Sequence, residues 1–269
     1  GTTVATDPAL RAIPDSLVGL SGIKSGQQFI SIGARGGQPD QLLLSGEPDE
    51  VTGFEELGEF RDVNGDPIFF IGGIAPSLDS GPGPLDDGPN PNEAFVVGSA
   101  DPSANAAMSL YEITLVDLDT DGDGVVDVPA GQATGEFPLT RGGLEVTDPV
   151  TALAWNGGGF TGAIAEPGGT RLFDITPDVA FAEAENFRTS TTGAPINALS
   201  SSSFGLRGIS GELGNAQDLV SFDGTGVANA VGPADPLLRG LTFGDVERVR
   251  SATPIADLQT DPNPKPPFE

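Results

Sequence analysis

Cysteine and histidine are both absent from this chain of 269 residues. Without cysteine, no disulfide can staple the fold and no thiolate can serve as a nucleophile or a metal ligand. Without histidine, the chain cannot form a Ser-His-Asp or Cys-His catalytic site, a histidine-ligated zinc or iron site, or the usual general base near neutral pH. A carboxylate pair, as in glycoside hydrolysis, is the catalytic route that these absences leave open.

Basic residues are scarce as well. Twelve Lys and Arg residues stand against 39 Asp and Glu residues, which gives a formal net charge of −27. So negative a surface repels nucleic acid and anionic lipid, and we expect neither as a partner. No apolar run approaches the ~20 residues of a transmembrane helix, so we expect no membrane insertion. The acidity suits solvation in a salty medium or the attraction of divalent cations, and both interpretations stay open.

Glycine and proline are abundant, with 39 and 24 residues respectively. Frequent turns favour many short strands over helices, and the fold class predicted is all-β. One short helix is predicted around residues 179–186. The segment 261–269 contains four prolines and cannot pair as a central strand, so we interpret it as a tail or linker after a single repeat domain over residues 1–260.

A short strand motif recurs along the chain and indicates an internal repeat. Its four copies begin at Leu42, Leu110, Leu172 and Leu219. Removing two insertions, at 76–92 and 117–131, brings these copies to roughly 50 residues apart, the length of a four-stranded propeller blade. Strands that begin with Phe and contain Gly precede three of the copies, and Leu241-Thr-Phe243 repeats the leading strand of the unit. We predict a β-propeller of about five or six blades, with a β-sandwich or another irregular all-β repeat as the alternative.

The second insertion carries a metal-ligand pattern. Carboxylates alternate with other residues along the loop, two glycines allow tight turns, and the candidate ligands are Asp117, Asp119, Asp121, Asp123 and Asp127. In one register, Asp119 is the first ligand and Gly124 supplies the turn; in a second, Asp117 is the first ligand and Gly122 supplies the turn. Ligands that are all oxygen atoms favour Ca²⁺ over Zn²⁺ or copper. A solvated acidic turn is the alternative.

This loop resembles the calcium loops of integrin-like (FG-GAP) propellers and of thrombospondin type 3 repeats, over about a dozen residues. The resemblance implies a calcium site and says nothing about a partner. The loop follows a strand, and Ala130 stands where an EF-hand has a bidentate Glu. We therefore expect a calcium affinity toward the ~10⁻⁴–10⁻³ M range of extracellular modules rather than that of an EF-hand switch.

A weaker metal candidate is formed by Asp62, Asn64 and Asp66. It resembles the start of an FG-GAP calcium loop, but Pro67 stands where glycine is expected and no fifth ligand follows. The Asn64-Gly65 pair is equally the commonest signal for a hairpin turn. Both interpretations stay open from the sequence.

Three functional classes follow from these features. The first is a secreted, acidic, calcium-stabilised protein that binds another protein or itself without catalysis. The second is a structural subunit of an extracellular matrix, surface layer or filament, and the third is a glycoside hydrolase that uses carboxylates. The first residue is Gly1 rather than Met, which we interpret as the removal of a secretion signal, with a residue left over from expression as the alternative.

Overall fold

A computed structural model describes residues 16–23, 28–34, 41–46, 55–76, 92–103, 105–166, 169–202, 205–211 and 215–234. Those residues contain seventeen β-strands and no helix. A membrane-spanning helix is therefore not found among them. The strands are β1 (Ser16–Ile23), β2 (Gln28–Ala34), β3 (Gln41–Gly46), β4 (Glu55–Glu59), β5 (Ile74–Pro76), β6 (Glu93–Gly98), β7 (Ser109–Thr114), β8 (Ala133–Arg141), β9 (Leu144–Glu145), β10 (Val150–Trp155), β11 (Phe160–Glu166), β12 (Gly169–Pro177), β13 (Ala182–Thr189), β14 (Ile196–Ser202), β15 (Gly205–Ser210), β16 (Gln217–Phe222) and β17 (Ala228–Ala234).

Sixteen of these strands form four consecutive antiparallel meanders of four strands each. Blade 1 is β1–β4, blade 2 is β5–β8, blade 3 is β10–β13 and blade 4 is β14–β17. The short strand β9 pairs with the end of β8. The outer strands of blades 2 and 3 also pair with each other in parallel, at Ala182 with Leu139 and Glu183 with Thr140, which joins these two blades into one continuous sheet.

The first strands of the four blades surround a common centre. β1 contacts β5, β5 contacts β10, β10 contacts β14, and β14 contacts β1. Four-stranded meanders whose first strands close into a ring are the defining arrangement of a β-propeller. The all-β propeller predicted from the sequence is therefore confirmed.

The repeat motif marks the third strand of each blade, since its four copies lie on β3, β7, β12 and β16. The described residues form four blades, fewer than the five or six predicted. That prediction divided the whole chain length by the repeat, and residues 1–15 and 235–269 lie outside the described residues, so the total number of blades stays a prediction. Of the first insertion, residues 77–91 lie outside the described residues, as do Leu241-Thr-Phe243 and the tail 261–269. The division into a domain over 1–260 and a tail stays a prediction.

The helix predicted around residues 179–186 is wrong. Most of that segment belongs to β13, which pairs with β12 on one side and β8 on the other. Ala182 and Ala184 are buried, whereas Glu183 and Glu185 between and beyond them are not. The burial therefore alternates with a period of two, and pairing on both edges outweighs the helical propensity of an Ala-Glu segment.

Among the described residues, three apolar cores fill the spaces between neighbouring blades, because the central strands are buried on both faces. On β6, Phe95 and Val97 point into the core between blades 2 and 3, while Ala94 and Val96 point into the core between blades 1 and 2. The core between blades 3 and 4 contains small residues of blade 3, among them Ala152 and Ala163. Each blade is thus held by the side chains of its neighbours rather than by a core of its own.

Glycines allow the backbone before β5 to approach blade 3. A Cβ atom on Gly72 would lie 1.9 Å from the carbonyl oxygen of Val150, and one on Gly73 would lie 2.4 Å from the backbone nitrogen of Leu153. Any larger residue at either position would push the two backbones apart. These glycines therefore set the distance between the inner ends of blades 2 and 3.

Candidate metal centre

The acidic loop is the connection between β7 and β8 of blade 2. Its base is closed by a β-bridge between Leu118 and Val128. The backbone N–H of Leu118 donates to the carbonyl of Val128 at 2.8 Å, and the N–H of Asp127 donates to the carbonyl of Leu118 at 2.8 Å. Residues 119–127 therefore form a closed excursion whose two ends are held side by side.

Three carboxylates converge within this excursion. Asp119, Asp121 and Asp127 each place one carboxylate oxygen so that the three atoms lie within 4.8 Å of one another. All three side chains are exposed. Like charges this close repel each other, and a cation bound between them would relieve that repulsion. The group could hold a metal ion, and its all-oxygen chemistry is that of hard cations.

Backbone hydrogen bonds orient the carboxylate of Asp119 and favour its ionised form. Its Oδ1 accepts from the N–H of Gly122 at 2.6 Å, and its Oδ2 accepts from the N–H of Gly124 at 2.8 Å. Both glycines have left-handed φ angles, +78° and +86°, which residues with a Cβ rarely adopt. The hydrogen bonds from Gly124 and Gly122 hold the pKa of Asp119 below its usual value. The glycines in the sequence pattern thus serve to position the first carboxylate.

Asp127 is fixed from the opposite side of the loop. Its Oδ2 accepts hydrogen bonds from the hydroxyl of Thr120 at 2.5 Å and from the backbone N–H of Thr120 at 2.8 Å. These two bonds, with the hydroxyl contributing most, hold the pKa of Asp127 below its usual value. Asp121 has one weaker restraint, because its Oδ1 accepts only from the N–H of Asp123, at 3.1 Å. Among the three aspartates, Asp121 therefore contributes least to holding the loop in its conformation.

The other two candidates on this loop are directed elsewhere. Asp117 Oδ1 accepts from the backbone N–H of Ala130 at 2.9 Å, at the base of the loop. Asp123 Oδ1 accepts from the N–H of Val125 at 2.8 Å. The group of three contains positions 1, 3 and 9 of the register that starts at Asp119. The register that starts at Asp117 begins with a carboxylate that lies outside this group.

The weaker candidate, at Asp62, Asn64 and Asp66, forms a hairpin turn. Asp62 is 4% exposed, and its Oδ1 accepts from the backbone N–H groups of Asn64 and Asp66, both at 2.8 Å. Arg61 bridges Pro67 across the turn. The turn interpretation of the Asn-Gly pair is confirmed, and both oxygens of Asp62 accept hydrogen bonds from the turn itself. Metal binding here stays a prediction.

A second turn of the same design was missed by sequence reasoning. Asp223 Oδ1 accepts from the N–H of Thr225 at 2.8 Å, from its hydroxyl at 2.7 Å and from the N–H of Val227 at 3.0 Å. The hydroxyl of Thr225 contributes most to holding the pKa of Asp223 below its usual value. An Asp followed two residues later by Asn or Thr and then by Gly is the shared signal. Because Asp223 joins no group of acids among the residues that the structure describes, this pattern alone does not indicate a metal.

Sequence reasoning also missed a half-buried cluster of charged and polar side chains on blade 3. Asp174 accepts two hydrogen bonds from the guanidinium of Arg188, at 2.7 and 2.9 Å, and others from Asn186 and Thr161. Burial alone would raise the pKa of Asp174, but the hydrogen bonds and charge of Arg188, aided by Asn186 and Thr161, lower it. Asn186 adopts a left-handed φ of 52° where β13 bulges against β12. The bulge turns Asn186 toward Asp174, and this cluster ties β11, β12 and β13 together.

Comparisons with known proteins add little to this picture. No family model matches the sequence, and no curated protein matches it. Among solved structures, Sqt1 from Chaetomium thermophilum is similar at a TM-score of 0.30 and 15% identity, over 62% of this chain and 35% of that one. A protein from Lactobacillus plantarum is similar at a TM-score of 0.34 and 11% identity, over 81% of this chain and 55% of that one.

This chain thus spans about a third and about half of the length of those two proteins. Likenesses at these TM-scores establish neither its fold nor its function. Its own strand topology and its own loop define the class, which is an all-β propeller that carries an acidic group able to hold a metal ion.

Proposed function

We propose that this protein is a secreted, calcium-stabilised propeller that acts by binding another protein or a second copy of itself, without catalysis. The observation that carries the proposal is the convergence of Asp119, Asp121 and Asp127 at the tip of a closed loop. Calcium is the cation proposed because it accepts flexible, all-oxygen sites in which water completes the coordination shell. The resemblance of the loop to the calcium loops of FG-GAP propellers and thrombospondin type 3 repeats supports the same ion.

The loop has two features that suit a surface fixed by an ion. It extends from blade 2 with its acidic side chains exposed, and its tip also exposes Val125 and Val126. An ion that gathers the three carboxylates would neutralise part of the local charge and hold this tip in one conformation. A rigid, partly apolar tip of this kind is a surface that a protein partner or a second copy could contact.

A pair of variants in the same loop tests the metal site. Asp121→Asn and Asp123→Asn remove the same charge, and each asparagine can still accept the backbone hydrogen bond that the aspartate accepts. Only Asp121 belongs to the group of three. We expect calorimetric titration with CaCl₂ to show binding in the wild type and Asp123→Asn, and to show at least about tenfold weaker binding in Asp121→Asn. Equal binding by the two variants would contradict the site.

Light scattering of the same samples tests the assembly part of the proposal. The expected result is a defined complex, with itself or with a partner protein, that forms in calcium and dissociates in chelator. Asp121→Asn should fail to respond to calcium, whereas Asp123→Asn should respond as the wild type does. Association that is unaffected by calcium and by both variants would contradict a role for the ion in assembly, even if the metal site itself is real.

A further inference from the structure

The chain contains two Asn-Gly pairs, Asn64-Gly65 and Asn156-Gly157, and the fold places them in different surroundings. We propose that Asn156 is a site of spontaneous deamidation in the folded protein, and that the turn around Asn64 protects that residue from the same reaction. The surroundings of the two glycine N–H groups carry the proposal, since the glycine nitrogen is the nucleophile.

The reaction balances without an oxidant or a reductant. The backbone nitrogen of the glycine loses its proton and attacks Cγ of the asparagine, which forms a new N–Cγ bond. The Cγ–Nδ2 bond breaks, and the amide nitrogen leaves as ammonia with the proton. Solvent water then adds to one of the two carbonyls of the five-membered ring and opens it, giving aspartate or isoaspartate. Glycine favours attack because no side chain hinders its nitrogen, and asparagine is among the thermolabile residues.

Asn156 lies in the hairpin loop between β10 and β11 and is exposed, as are Gly157 and Gly158. Within the part of the chain that the structure describes, the N–H of Gly157 donates no hydrogen bond to a backbone or side-chain acceptor. The side chain of Asn156 has only long contacts, from Nδ2 to the hydroxyl of Thr161 at 3.3 Å and from the N–H of Gly158 to Oδ1 at 3.3 Å. Both reacting groups are therefore weakly restrained.

Asn64 is held more firmly, although it is also exposed. The N–H of Gly65 donates to the carbonyl of Asp62 at 3.1 Å, so the nucleophilic nitrogen is already engaged. The N–H of Asn64 donates to Asp62 Oδ1 at 2.8 Å, and the turn is closed by the N–H of Asp62 on the carbonyl of Asp66 at 2.7 Å. Attack by Gly65 would require this turn to open first.

Conversion of Asn156 to aspartate or isoaspartate would disturb hydrogen bonds that lead into the interior of blade 3. Thr161 accepts from Asn156 and donates to Asp174, and its single hydroxyl proton cannot serve a new carboxylate and Asp174 at once. Isoaspartate would also lengthen the backbone of the loop, which is closed by the N–H of Asn156 on the carbonyl of Gly159 at 3.0 Å. The modification therefore weakens the join between β10 and β11.

Peptide mapping by mass spectrometry tests this proposal on the full chain, incubated at mildly alkaline pH and sampled over time. The readout is the mass gain from replacing an amide NH₂ with OH. Chromatographic separation of the isoaspartyl peptide from the aspartyl peptide distinguishes the two products. We expect Asn156 to convert at least about fivefold faster than Asn64 in the folded protein, the factor that one intact hydrogen bond gives. In urea, where both turns are open, the two rates should become similar.

The control variant is Asn156→Gln, whose longer side chain would have to form a six-membered ring. It should abolish conversion at position 156 and leave the rate at Asn64 unchanged. Three results would overturn the proposal: no conversion at Asn156, conversion of Asn64 at an equal or higher rate in the folded protein, or the same ratio of rates in urea as in buffer. The last result would show that the neighbouring sequence, rather than the fold, sets the difference.

Discussion

Replacing Phe160 with alanine should destabilise the propeller more than any change to an exposed aromatic residue. The ring of Phe160 is 0% exposed, and its centroid lies 5.0 Å from that of Phe95 on blade 2 and 5.0 Å from that of Trp155 on blade 3. Truncation removes the buried ring, leaves a cavity in the core between the two blades and breaks both aromatic contacts. A change of this kind costs about 3–5 kcal/mol.

That loss is a large part of the total stability of a domain, which is about 5–15 kcal/mol. Urea unfolding, followed by circular dichroism, measures it. With a slope of about 2–3 kcal/mol per molar urea for a chain of this size, the midpoint should fall by roughly 1–2 M. Phe160→Leu keeps most of the volume and should cost less than about 1.5 kcal/mol, which gives a measurement even if the alanine variant does not fold.

Phe181→Ala is the control, since Phe181 is 39% exposed and belongs to none of the three cores. Its effect should stay within about 0.5 kcal/mol. The reasoning is refuted if Phe160→Ala and Phe181→Ala shift the midpoint equally, or if Phe160→Leu is as damaging as the alanine variant. Either result would mean that the ring of Phe160 does not fill the space between blades 2 and 3.

Three further predictions concern the ion, the glycines and acid. Chelator should lower the melting temperature in a calorimetric scan by several degrees, and Asp121→Ala should abolish that response; identical scans with and without calcium in the wild type would contradict a stabilising ion. Gly73→Ala should cost about 1–3 kcal/mol because its Cβ would meet the backbone of Leu153, whereas Gly158→Ala, with no atom within 4 Å of the added Cβ, should cost little; equal urea midpoints would contradict the close approach. The folded-state pKa of Asp174 lies below its unfolded value, so the stability it contributes is present above the usual aspartate pKa of about 3.9 and is lost as the pH falls through the folded value. Urea midpoints between about pH 2 and 6 should therefore decline less steeply in Asp174→Asn than in the wild type, and parallel curves would contradict this assignment.

The strands that carry the repeat motif are predicted well from the sequence. The strands without that motif are predicted poorly. The motif copies at Leu110 and Leu172 lie on third strands, where burial on both faces demands apolar residues at consecutive positions. Fourth strands are at the periphery, and their composition follows local contacts. The sequence of β13 therefore suggests a helix, because its buried residues are alanines that alternate with glutamates. The total number of blades stays a prediction, because the four blades counted belong to the described residues and both ends of the chain lie outside them.

The acidic loop shows a similar division. Alternation of carboxylates identified the segment, and three of the five predicted ligands do converge. Which three could not be read from spacing, because single backbone N–H groups decide where each carboxylate points. Ala130 draws Asp117 to the base of the loop, and Val125 draws Asp123 away from the group. The Asp223 turn escaped notice because it has one acid, and the Asp174 cluster because its members are spread over three strands.

The two-sided burial of β6 has a consequence for how this chain can change over time. Val96 packs toward blade 1 and Val97, its immediate neighbour, toward blade 3. A larger side chain at position 96 could be compensated only by a smaller one in blade 1 or blade 2, and a larger side chain at position 97 only by a smaller one in blade 2 or blade 3. Compensating substitutions in such a chain should therefore switch partners from one residue to the next along a single strand. Blade 2 transplanted alone into another protein would carry only its own half of each of the two cores that it shares with blades 1 and 3.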